Sequence, residues 1–188
     1  MKFKINADIT KAETLPALFY KDQKVFDTIK EKIFLKTWQW IGDENLAPTA
    51  HSVYPFVLLD NYLTEPLLLT KDTNNEIHCL TNVCTHRGNL VVLKAGSAKK
   101  LTCNYHGRRF NLKGDFEHMP DFQKAKDFPR PCDNLHTFPL KRWGSLLFAG
   151  LNPSFDFQHV LNKMNERIGF LPLNEFKLNT ALNKDFMV

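Results

Sequence analysis

The stretch CTHRGNLVVLKAGSAKKLTCNYHG, residues 84–107, decides how this chain is read. It sets Cys84 and His86 in one half and Cys103 and His106 in the other, in the pattern C-x-H-x16-C-x2-H. Thiolate sulfur and imidazole nitrogen are donors that transition metals take, so the four together point to a metal. Structural zinc sites pair their ligands as C-x2–4-C or H-x3–5-H, because two ligands on one small ion need a turn of about that length between them. Cys84 and His86 are separated by a single residue. That spacing is poor for one ion. It suits two irons side by side, with each loop giving a cysteine to one iron and a histidine to the other.

Outward from the loops, short β-rich runs alternate with turn residues: SVYPFVLLDNYL, EPLLLTKD, EIHCLTNV, KKLTCNY, RRFNLKGDFEH and WGSLLFAGL. This texture predicts a mainly β, antiparallel fold. DTNNE at 72–76 and LKGD at 112–115 read as its hairpin connections. Ahead of the strands, YKDQKVFDTIKEKIFLKTW at 20–38 places Val25, Phe26, Ile29, Ile33 and Phe34 at helical spacing, with Asp22 as N-cap. Beyond the strands, Ser154 is placed to cap a second helix running to about Arg167. The predicted organisation is a helical segment over 1–43, a β domain over 44–153, and a helix with the start of a linker over 154–188.

The chain has 188 residues, 43% of them hydrophobic, enough for one globular domain with a real core. The start, MKFKINADITK, lacks the apolar run of a secretion signal, and no apolar run is long enough for a bilayer, so a cytoplasmic location is expected. Four cysteines are too few for a secreted disulfide scaffold. The net charge of +5 is spread along the chain, with no basic helical stripe interleaved with aromatics, which argues against nucleic acid. No phosphate loop, nucleophile elbow or zincin motif occurs. Cys79 alternates with Ile77 and Thr81 and is expected to be a buried thiol; Cys132 and His136, though nominally spaced for a metal, have no second pair.

CTHRG and CNYHG resemble the paired cluster loops of Rieske non-haem iron oxygenases, the ring-hydroxylating and choline-monooxygenase-like α subunits. The resemblance extends over roughly residues 13–155, including the amino-terminal helix and RRFNLKGDFEHMPDF after the second loop. It implies a Rieske-type β-sandwich with a cluster-binding subdomain of two hairpin loops. It also implies a [2Fe–2S] cluster held by Cys84 and Cys103 on one iron and by His86 and His106 on the other. Around it, Arg87 would brace a loop or meet a partner, and Tyr105 would add a hydrogen bond. Gly88 and Gly107 would permit tight turns whose backbone N–H groups face the bridging sulfides. High-potential Rieske proteins carry a further cysteine in each loop, at positions that here fall on Asn89 and Tyr105. The family commonly has tryptophan after the second His-Gly, where this chain has Arg108 followed by Arg109.

The resemblance further implies an electron donor, a ferredoxin or flavin reductase, which Lys94, Lys99, Lys100, Arg108 and Arg109 could attract if it is acidic. It implies a mononuclear non-haem Fe(II) in a catalytic domain of the same or a neighbouring subunit, within a homo-oligomer, a trimer. The seven histidines, at 51, 78, 86, 106, 118, 136 and 159, include no spare close pair for that iron, so the sequence is expected to stop short of the catalytic domain. Electron transfer within an oxygenase component is thus the function expected. A stand-alone Rieske electron carrier and a zinc-stabilised interaction module are the alternatives.

Overall fold

The computed structural model describes residues 3–177 and 179–186. The final residues of the expected linker, Met187 and Val188, lie outside the described residues, as does Leu178.

Among the described residues, eleven strands form three sheets. The central sheet has five strands: β2 (Ser52–Leu58), β3 (Glu65–Lys71) and β4 (Ile77–Thr81), with the short β5 (Gly96–Ser97) beside β2 and β9 (Thr137–Phe138) beside β4. β1 (Gln39–Asp43), β11 (Leu146–Ala149) and β10 (Leu140–Trp143) form the second sheet in that order. β6 (Leu101–Thr102), β7 (Arg109–Phe110) and β8 (Phe116–His118) form the third. All pairings are antiparallel.

Strand alternation explains why the central sheet needs cover on both faces. Along β3, Leu67, Leu68, Leu69 and Thr70 are all fully buried. Leu67 and Leu69, with Cys79 of β4, pack against Leu147 and Ala149 of the second sheet. Leu68, with Leu80 of β4, faces the opposite way into a core that holds Leu101, Phe110, Leu112, Cys84 and Cys103. On that same side the Thr70 hydroxyl donates to the Leu112 carbonyl at 2.5 Å. The loops bearing the four candidate ligands therefore sit on a solid floor of aliphatic side chains. Cys79 is 1% exposed, and burial pushes its thiol up to about 12, the inert buried cysteine expected.

Both predicted hairpins form. Between β3 and β4, the Asp72 carboxylate accepts the backbone N–H groups of Asn74 and Glu76 at 2.8 and 3.0 Å. Between β7 and β8, the Asn111 side-chain oxygen accepts those of Lys113 and Asp115, both at 2.9 Å. Burial works against the charge on Asp72. Hydrogen bonds from His78, from the Glu76 and Asn74 amides and from Lys113 outweigh it and hold the carboxyl at about 2, against an ordinary 3.8. A carboxyl lowered in the folded state contributes stability above its unfolded value and loses it as pH falls from about 4 towards 2. The contribution is about 2 kcal/mol. Urea titrations of wild type and Asp72→Asn should show a stability gap at pH 6 that narrows by about that amount at pH 2.5; a gap independent of pH would contradict it.

The helices depart from the sequence reading at their ends. In place of one helix over 20–38, α1 (Ala17–Lys21) and α2 (Gln23–Lys32) are separated by Asp22, which is extended and caps α2 by accepting from the Lys24 and Val25 amides. The chain then tightens into a 3-10 turn at Phe34–Lys36, because the carbonyls of Leu35 and Lys36 take the amides of Asn152 and Ser154. A tertiary contact thus overrides helical periodicity. The same contact removes Ser154 as a cap: its hydroxyl donates to Lys36, and Asp156 caps α3 (Phe157–Ile168) instead. β1 pairs with β11, so a domain boundary after residue 43 severs a strand from its sheet.

Candidate metal centre

Two loops of matching conformation carry the four candidate ligands. The first follows β4. The Cys84 amide donates to the Asn89 carbonyl at 2.8 Å and the Gly88 amide to the Cys84 carbonyl at 3.0 Å. The second joins β6 to β7. The Cys103 amide donates to the Arg108 carbonyl at 2.8 Å and the Gly107 amide to the Cys103 carbonyl at 2.9 Å. In each, a cysteine bonds to partners four and five residues ahead, and the glycine takes a positive φ, +71° at Gly88 and +73° at Gly107. The amides of the glycines themselves close these tight turns. The amides that reach the sulfurs are those of His86 on Cys84, and of Tyr105 and His106 on Cys103.

Cys84 and Cys103 are buried, at 3% and 2% exposure, and the Asn89 side-chain amide donates to Cys103 Sγ at 3.7 Å. For Cys84, burial raises the thiol pKa. For Cys103, burial acts the same way but is outweighed by the Tyr105 and His106 amides, the Cys84 thiol and Asn89, so its pKa is lowered. His86 and His106 are half-buried, with ring centroids 4.8 Å apart. Nδ1 of His86 is buried and, among the described residues, has no hydrogen-bond partner. Burial, His106 and the neighbouring arginines lower the His86 pKa, which keeps the ring neutral and able to donate a lone pair.

Residues 56–139 match the Rieske [2Fe–2S] domain family. The chain carries a Rieske domain. Relatives include the oxygenase subunit of carnitine monooxygenase from Escherichia coli (strain K12), 27% identical across 79% of this chain and 39% of the relative. Another is the oxygenase subunit of glycine betaine monooxygenase from Pseudomonas aeruginosa (strain UCBPP-PA14), 31% identical across 73% of this chain and 31% of the relative. The quaternary ammonium Rieske monooxygenase CntA, solved with L-carnitine, superposes with a TM-score of 0.73 at 20% identity over 84% of this chain and 46% of that one. Naphthalene 1,2-dioxygenase from Rhodococcus superposes at 0.67 with 25% identity, over 76% and 32%. The chain thus spans less than half the length of each of these relatives.

A [2Fe–2S] cluster is the cofactor of a Rieske domain, and the donor set here fits it. One tetrahedral ion with bonds of about 2.0–2.3 Å needs its donors within about 4 Å of one another. Among the described residues, three donor atoms within 4.8 Å of each other occur at Asp72, Glu76 and His78, and at no three of the four loop residues. Two irons side by side accommodate that wider spread, and the orphaned, buried Nδ1 of His86 is the kind of atom a metal satisfies. At Asp72 and Glu76, the Lys113 ammonium already stands 3.4 and 4.0 Å from the carboxylates, so that hairpin is an ion-paired turn.

The residues around the Rieske loops differ in part from the sequence reading. Tyr105 is 57% exposed and lays its ring on His106 with centroids 3.8 Å apart; among the described residues its hydroxyl makes no hydrogen bond. Arg108 is corrected outright as a docking residue. It is 3% exposed, paired with Asp133 at 2.6 Å, and a buried guanidinium cannot meet a partner. Lys100 is exposed but engaged by Glu117 at 2.7 Å, and Arg109 is half-buried opposite His118. Lys94, Lys99 and Arg87 are exposed. Asn89 and Phe122, whose ring edges against His86 at 6.0 Å, were not foreseen as neighbours of the site. Asn89 was legible as a polar residue inside the loop. Phe122 was not, because only the fold brings the 120s across to His86.

The matching glycines also separate two costs. At Gly88 an added Cβ meets nothing within 4 Å, whereas at Gly107 it would lie 3.2 Å from Pro120 Cγ. Gly88→Ala should therefore cost about 1 kcal/mol of left-handed strain alone, and Gly107→Ala should cost more because Pro120 must shift. Equal denaturation midpoints for the two variants would contradict this.

Proposed function

We propose that this chain is the electron-transfer part of an oxygenase component. Cys84 and Cys103 hold one iron as thiolates, and His86 and His106 hold the other through ring nitrogens. The carrying observation is the pair of matched loops that aim three backbone amides and Asn89 at two buried sulfurs while leaving two touching imidazoles half-exposed. Held there, the cluster supplies a one-electron redox centre at about −150 to +300 mV. The protein's part is to keep the sulfur end dry and the nitrogen end near the surface, where Tyr105 and Phe122 wall the rings. Arg87, Lys94 and Lys99, with Arg109 half-buried, offer positive charge to an acidic ferredoxin or flavin reductase. Electrons would pass on to a mononuclear non-haem iron in the catalytic domain of the same or a neighbouring subunit, in a homotrimer. The carnitine and glycine betaine relatives, both oxygenase subunits, support this reading. Among the described residues, no helix is long and apolar enough to cross a membrane, and a cytoplasmic location is proposed.

Anaerobic purification followed by metal and sulfide analysis and EPR tests it. About two irons and two acid-labile sulfides per chain are expected, with a rhombic signal after dithionite reduction. A colourless, EPR-silent protein holding one zinc overturns it.

A further inference from the structure

Arg108 stands where the resembled family commonly has tryptophan, and its surroundings show what the charge does. Nη2 donates to Asp133 Oδ1 at 2.6 Å and Nη1 to Thr85 Oγ1 at 2.8 Å. The Thr85 hydroxyl in turn donates to the Asp133 backbone carbonyl at 2.8 Å, which closes a ring of three residues. Thr85 lies between Cys84 and His86, while the backbone carbonyl of Arg108 accepts the Cys103 amide at 2.8 Å. One residue therefore grips the first loop by its side chain and the second by its backbone. The guanidinium carbon lies 5.2 and 5.5 Å from the ring centroids of Phe116 and Phe128, so aromatic faces hold the cation from outside the ring of hydrogen bonds. Asp133 is itself fixed, its second oxygen accepting the Arg130 amide at 2.7 Å.

This arrangement is more than packing. An apolar residue would fill the volume, but only a planar, permanently charged fork can bond Thr85 and Asp133 at once. A buried charge also acts over a longer range than a surface one, because little water intervenes.

We infer that Arg108 is a positioning residue of the cluster site, locking the two ligand loops into one frame through Thr85 and Asp133 and setting a fixed positive charge beside the ligands. The inference rests on the proposed cluster reading and deepens it. Outer partners of metal ligands typically alter metal retention by about ten- to a hundredfold when removed.

The experiment compares intact, anaerobically prepared wild type with Arg108→Gln, Arg108→Lys and Thr85→Val, reading iron release to a chelator and the reduction potential. Release should be at least about tenfold faster in Arg108→Gln and faster than wild type in the other two. The potential should fall in Arg108→Gln, which strands the Asp133 carboxylate without its cation. It should stay near wild type in Arg108→Lys and Thr85→Val, which keep the positive charge. Wild-type release and potential in Arg108→Gln overturn the inference, as does a potential that falls equally in all three. If Arg108→Gln does not fold, unchanged release in both Arg108→Lys and Thr85→Val overturns it. A wild-type chain that binds no iron and sulfide instead overturns the cluster reading on which it depends.

Discussion

His106→Cys should lower the reduction potential by roughly 100–300 mV while leaving the fold intact. Exchanging both imidazoles for thiolates separates Rieske centres from all-cysteine plant-type clusters at about −400 mV, and one exchange should take a share of that gap. The cause is charge: a thiolate adds a negative charge that an imidazole does not, so an incoming electron is less welcome. At 59 mV per tenfold for one electron, the equilibrium for receiving an electron would worsen by about two to five powers of ten. The fold should survive because the second loop is closed by backbone bonds, Cys103 to Arg108 and Gly107 to Cys103, and none uses the His106 ring. What the ring does contact is aromatic, His86 at 4.8 Å and Tyr105 at 3.8 Å, and losing those contacts at a half-exposed edge should cost little stability. Protein-film voltammetry reads the shift directly, and an unchanged potential would remove His106 from the ligand set. Tyr105→Phe is the matched control. Its hydroxyl is unpaired among the described residues, so the potential should hardly move.

The ligand pattern, the strands and the two hairpins were legible because each is written locally. A single residue between Cys84 and His86, the apolar run in EPLLLTKD, and the turn residues of DTNNE and LKGD are all short-range facts. What local reading missed was decided by contacts distant in sequence. The helix expected to reach Trp38 stops at Lys32 because the following carbonyls are claimed by residues 152 and 154, more than a hundred positions away. β1 fell inside the helical segment drawn over 1–43, and only its pairing with β11 places it in a sheet. Arg108 read as a surface cation because arginine usually is one, and only Asp133, 25 residues on, turns it inward. The two-faced burial of β3 was written in its unbroken Leu67-Leu68-Leu69 run, but which layer covered each face was not.

That layering sets the largest stability effect. Phe110 of β7 is fully buried between the central sheet and the ligand loops, in one core with Leu68, Leu80, Leu101, Cys84 and Cys103. Phe110→Ala should cost about 3–5 kcal/mol, since the side chain's transfer energy is lost and a cavity opens where the surroundings cannot collapse freely. Collapse is restricted here because β7 pairs with both β6 and β8 and so cannot slide inward without breaking a ladder. The loss should also reach function. Phe110 lies two residues beyond Arg108 and is paired with Leu101, so it anchors the β6–β7 hairpin that carries Cys103 and His106. Leu93→Ala provides the contrast: that side chain is 66% exposed, and its removal should stay within about 0.5 kcal/mol. Denaturant titrations of the two variants, read alongside iron content, make the comparison. A cost below about 1 kcal/mol for Phe110→Ala, far under the usual range for a buried aromatic, would mean the ligand loops hold their shape without the floor beneath them.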